Sequence, residues 1–126
     1  MRSRVQEVAK FAYDRVSKVR DQRDQEFKKK YSSHAQKLPS MIVHNGLLTT
    51  VAFIRSKANS DKGWEAIEGD IKAFLNKFER KNPENLVEFF ANLSLQEYRL
   101  YTQKLLYFAQ WLKRIVEGEL KYEGEE

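Results

Sequence analysis

Pro39 is the residue that most limits what this chain can fold into. It heads an apolar-rich run, Pro39-Ser40-Met41-Ile42-Val43-His44-Asn45-Gly46-Leu47, that continues to Ile54. Proline lacks a backbone N–H and its ring clashes with the preceding turn. It breaks a helix interior but suits a helix's first turn. One helix is therefore expected to end near Leu38 and the next to begin near Pro39. That next helix is apolar on nearly every side, through Met41, Ile42, Val43, Leu47, Leu48, Val51, Ala52, Phe53 and Ile54. Such a helix in a chain this rich in charge is a buried one. Gly46 then falls mid-helix, on the side of Ile42 and Phe53. Glycine there costs about 1 kcal/mol against alanine, which close approach of another backbone would offset. Gly46 reads as a packing position. Asn45 beside it reads as an amide bonded to a neighbouring backbone or subunit.

The rest of the chain reads as helices too. Val5, Val8, Ala9, Ala12, Val16 and Val19 share one face of a helix over about 2–20. Phe27, Tyr31, Ala35 and Leu38 form a stripe on a second helix, about 24–37. Asn59 to Gly63 is a turn with Ser60 or Asp61 as the next N-cap. Trp64, Ile67, Ile71, Phe74, Leu75 and Phe78 belong to a helix over about 62–80. Asn82-Pro83 reads as cap and first position of a short helix reaching about Ala91. Ser94-Leu95-Gln96-Glu97 is a capping box opening a last helix to about Glu119. Its seam is Leu95, Tyr98, Thr102, Leu105, Ala109, Leu112 and Val116. The acidic end, Tyr122 to Glu126, is expected to fray. The expectation is an all-α chain, a single compact bundle of five to six helices forming one domain over 1–126.

Several function classes find no support. With no cysteine there is no thiolate metal site or disulfide framework. His34 and His44 fit no metal-ligand spacing. There is no nucleophile elbow and no glycine-rich phosphate loop. Glu65, Glu68 and Asp70 read as a solvated acidic face of the fourth helix. No catalytic residue, metal or cofactor is expected. No apolar run approaches the ~20 residues of a membrane span, and no apolar stretch follows the basic start to make a secretory signal. A cytoplasmic protein is the expectation.

Charge is unevenly distributed. Residues 1–63 hold 14 Lys or Arg against 6 Asp or Glu, a balance of +8; residues 64–126 hold 9 against 12, a balance of −3. A basic half suits a polyanion or an acidic partner, against the plainer reading of a solvated surface. Arg4, Phe11, Arg15 and Lys18 lie along one flank of the first helix. Arg20 and Arg23 follow at the bend, and Lys28, Lys29, Lys30 and Lys37 lie on the second helix. Cations one or two turns apart can follow a phosphate backbone without reading bases. Phe11 is a core residue on one reading and a base-stacking ring on the other. The last helix carries more apolar surface than one contact needs: Leu100, Tyr101, Tyr107, Phe108, Trp111 and Ile115 lie beyond the seam. That is either a central helix covered on several sides or, through Tyr107 and Trp111, a subunit interface.

Leu38-Pro39-Ser40, then Asn45-Gly46-Leu47, then Phe53 resembles the small-subunit family of the type III-B CRISPR effector, the Cmr complex. The motif spans about an eighth of the chain, and the length and helical pattern suit the family end to end. The resemblance makes these six positions (Leu38, Pro39, Asn45, Gly46, Leu47 and Phe53) structural. It implies a non-catalytic subunit that lines up as several copies beside backbone subunits in antiviral defence. Its partners would be guide RNA, target RNA, other Cmr subunits and further copies of itself, with no membrane and no cofactor. Together with the charge asymmetry it makes Arg4, Arg15, Lys18, Arg20, Arg23, Lys28, Lys29 and Lys37 candidate RNA contacts. The competing reading is a helical adaptor for an acidic protein.

Overall fold

Six helices and no strand are formed among the described residues, which in this computed structural model are 1–120. They are α1 (Arg4–Arg20), α2 (Gln25–Asn45), α3 (Leu47–Ala58), α4 (Lys62–Glu79), α5 (Leu86–Ala91) and α6 (Leu95–Glu119). The acidic end expected to fray lies outside the described residues. Short polar side chains start most of the helices by accepting from otherwise free amides. Ser3 and Ser94 close full capping boxes with Gln6 and Glu97. Asp24, Asp61 and Asn85 cap α2, α4 and α5. The cap of α5 is Asn85, not Asn82, so Pro83 precedes that helix instead of opening it.

α6 is the axis of the molecule. α1 lies along it in the same direction, with Arg20 bonded to Glu119 at the shared end. α2 runs the opposite way, its Ser32 hydroxyl donating to the Leu120 carbonyl. α4 packs on α2 and carries α3, which reaches α5. Phe11, Phe74, Phe78 and Phe108 from α1, α4 and α6 meet in one cluster, with Phe74 and Phe108 stacked at 4.8 Å. Phe11 is thus a core ring, not a free stacking surface.

The proline expectation is corrected. α2 runs straight through Pro39, which is buried. Pro39 donates no bond to the carbonyl one turn before it. Burial of Leu38 and Ile42 on either side keeps the helix going. The chain breaks at Gly46 instead, where φ is +85° and ψ is 157°. That backbone region is open to glycine almost alone. Gly46 is a joint, not a mid-helix packing site: its N–H donates to Ile42 and its carbonyl accepts from the Thr50 N–H. The apolar run is therefore two helices, each burying one face. Leu38 and Ile42 are buried on α2, and Leu47, Val51 and Ile54 on α3. Val43 is 60% exposed and Phe53 39%. Asn45 is exposed, so it needs no buried partner.

Candidate nucleic-acid interface

The structure sorts the candidate cations into tied and free. Arg15 points inward, and its Nε donates to Asp70 Oδ1 at 2.8 Å. Tyr31 donates its hydroxyl to the other Asp70 oxygen. Asp70 is 2% exposed and Glu68 7%; Arg55 pairs with Glu68 at 3.0 Å. The acidic face expected on α4 is thus largely interior. Only Glu65 of the three is exposed. α4 is covered by α2 and α3, and Arg15 of α1 reaches it as well, so its buried arc is wider than the Ile67–Ile71 stripe suggests. Burial pushes the Asp70 carboxyl up from its usual range, while Tyr31 and Arg15 hold it down. Arg20 is tied as well, to Glu119, Asp21 and the hydroxyl of Tyr13. The Arg4 guanidinium lies 5.1 Å from the centre of the Phe78 ring.

Lys18, Arg23, Lys28, Lys29 and Lys37 make no ion pair among the described residues. Asp24, in their midst, is occupied as the cap of α2, accepting from Phe27 N–H at 3.1 Å. Lys18 borders an open groove of about 450 Å³ floored by Val19, Phe27 and Ala66, with Lys62 and Glu65 also on its walls. The α1–α2 turn and the outer face of α2 therefore present free positive charge. The helical spacing that found these residues could not reveal that Arg15 and Arg20 have partners 55 and 99 positions away.

On α6 the wide apolar arc divides. Tyr101 and Phe108 are buried, and Tyr107 is 36% exposed. Tyr107, Gln110, Trp111 and Arg114 line a shallow groove of about 210 Å³ on the outer side. Among the described residues no three His, Asp or Glu side chains cluster as metal ligands would, and no helix is long and apolar enough to cross a membrane.

Residues 4–119 match the family model described as CRISPR-associated protein Cmr5. The chain belongs to the Cmr5 family. A crystal structure of a Cmr5 family protein from Thermus thermophilus is similar at 27% identity, with a TM-score of 0.82. The alignment covers 96% of this chain and 100% of that one. Membership in the Cmr5 family makes the chain a small subunit of a Cmr complex, within type III CRISPR systems. The Leu38-Pro39-Ser40 and Asn45-Gly46-Leu47 elements lie in the second half of α2 and across its joint with α3. In this Cmr5-family fold Leu38, Pro39 and Leu47 are buried, while Gly46 turns the corner between the two helices.

Signals that sequence reading missed are Tyr98 and Gly63. The Tyr98 hydroxyl accepts from Leu48 N–H at 2.8 Å, supplying the cap that Gly46 has no side chain to give. A Cβ on Gly63 would meet His34 Cδ2 at 2.8 Å and Lys30 Cβ at 3.0 Å, so α4 closes tightly on α2 there. Neither is visible without knowing which helices meet.

Proposed function

We propose that this Cmr5-family chain is a non-catalytic, cytoplasmic subunit that forms one domain and lines the guide and target RNA channel of its effector complex. The observation that carries the reading is the set of cations with no ion pair among the described residues around the α1–α2 turn, Lys18, Arg23, Lys28 and Lys29, with Lys37 further along α2. Long cations with no acidic partner attract phosphates without reading sequence. Base pairing with the guide supplies specificity in such a division of labour, as it does in another RNA-guided effector class. Arg15 and Arg20 serve the fold on this reading, and Tyr107 with Trp111 meets a neighbouring subunit.

The test is charge reversal at Lys18, Arg23 and Lys29 in the assembled complex. RNA retention is measured across a salt titration, alongside cleavage by the purified chain. Each lost phosphate contact should lower the salt slope by about 0.7 for a single strand. The purified chain should leave labelled RNA intact in Mg²⁺. Parental retention at every salt concentration would reduce these lysines and the arginine to a solvated face.

A further inference from the structure

We propose that Phe53, Lys57 and Lys37 form a stacking platform for an unpaired RNA base and its flanking phosphates, on the side of the molecule where α2, α3 and α4 meet. The inference rests on the RNA reading above, shares Lys37 with it, and adds a chemically different contact through the Phe53 ring.

Phe53 is 39% exposed, yet its ring does not hang free. It meets the Trp64 ring in a T-shaped contact at 5.4 Å and 88°. Trp64 is itself stacked on His34 at 4.0 Å and 7°, and it is only 5% exposed. His34 is fixed by its bond to Asp61, 3.0 Å away, which also caps α4 through Trp64 N–H. Gly63 admits the close approach that holds these layers together. A rigid chain of rings thus presents Phe53 at the surface in one orientation. An aromatic ring held this way stacks on a base at little entropic cost, and every base has a face to offer.

The charge around the ring has the matching sign. The Lys57 ammonium lies 5.6 Å from the centre of the Phe53 ring. Lys30 and Lys37 flank His34 on the same face of α2, four residues before it and three after. Lys30 is held by Glu26 at 3.6 Å. Lys37 and Lys57 are exposed and make no ion pair among the described residues. An aromatic surface beside unpaired lysines suits single-stranded nucleic acid better than an apolar protein face. It also explains why a large apolar side chain stands in water beside cations instead of in the core.

The experiment uses the effector complex assembled on its guide, with an unpaired RNA strand as probe. Incorporation of each variant is measured first, by subunit stoichiometry. Ultraviolet irradiation followed by mass spectrometry should then place a nucleotide adduct on the peptide containing Phe53. Phe53→Ala should weaken retention roughly tenfold at unchanged salt slope, since stacking is not a counterion effect. Phe53→Trp should restore it. Lys37→Glu with Lys57→Glu should lower the slope by about 1.4, two single-strand contacts. Adducts confined to the α1–α2 turn, with Phe53→Ala retaining RNA like the parent, overturn the platform and leave the RNA reading standing. Absence of any adduct on this chain, with parental retention in every variant including those at the turn, overturns both. A Phe53→Ala chain that folds but drops out of the complex makes this face a protein contact, and the platform is wrong.

Discussion

Gly46 sets a requirement on the backbone, not on space. An added Cβ would have only the Tyr98 hydroxyl near it, at 3.8 Å, an ordinary contact. The conformation at φ +85° and ψ 157° is what a side chain resists. Gly46→Ala should therefore cost about 1–3 kcal/mol, lowering the melting temperature by several degrees, and Gly46→Leu should cost little more. Inside a helix, alanine would instead be the milder change, as the better helix former. A thermal melt in which alanine matches the parent and leucine alone is destabilised would return Gly46 to a helical packing position. Arg15 makes the opposite kind of demand. Removing it strands the Asp70 carboxylate in the interior with Tyr31 as its main partner. Arg15→Ala should cost about 3 kcal/mol in urea unfolding, the low end for a broken buried pair, because Arg15 is itself 25% exposed. Adding Asp70→Asn should recover part of the loss. If the double variant is worse than the single, Asp70 stabilises the fold through contacts other than this pair.

The start of α4 is the element where pH should act. Burial keeps the His34 imidazole below its usual 6.5, and Lys37 and Lys30 push the same way against Asp61. Burial raises the Asp61 carboxyl, but the Trp64 N–H and His34 outweigh it and hold the group below 3.8. Both groups take up protons more readily in the unfolded chain. The stability these two groups contribute should accordingly be full above about pH 6.5, fall as pH drops from there toward the lowered His34 value, and fall again below 3.8 as Asp61 protonates. Melting temperatures between pH 7.5 and 5 check the first loss. His34→Phe keeps a ring against Trp64 and should flatten the decline; parallel profiles for parent and variant would remove His34 as its source. Elements of this kind were partly legible beforehand. Ser94 and Glu97 announced α6, and the Val8–Val19 stripe announced α1, because capping and amphipathic spacing are local. Pro39 and Gly46 were read the wrong way round, because packing of Leu38 and Ile42 on a distant helix overrode the local rule. Asp70 was read as solvated for the same reason: its partners lie on α1 and α2. The cationic turn was visible as residue types, and the pairing that removes Arg15 and Arg20 from it was not.

Over the whole molecule, the free cations and the free aromatics of α6 occupy separate elements. That separation suits a subunit that holds RNA with one surface and a neighbour with another. Tyr107→Ala with Trp111→Ala should leave the fold in place, since Tyr107 is exposed and Trp111 packs only at the margin of the core. The same pair should reduce incorporation into the complex, as truncated aromatic anchors do, by about tenfold or more. Size-exclusion of the reconstituted complex measures this, and parental stoichiometry would assign the two rings to the bundle's rim. The central place of α6 also matters for how the chain is made. α1 buries its apolar face chiefly against α6, and α2 meets α6 more than any other helix, yet α6 is translated after the other five. At about 5–20 residues per second, the first two helices emerge from the ribosome several seconds before their partner exists. During that interval the apolar surface of α1 and α2 that α6 later covers lies open. Truncation before α6 leaves that condition permanent.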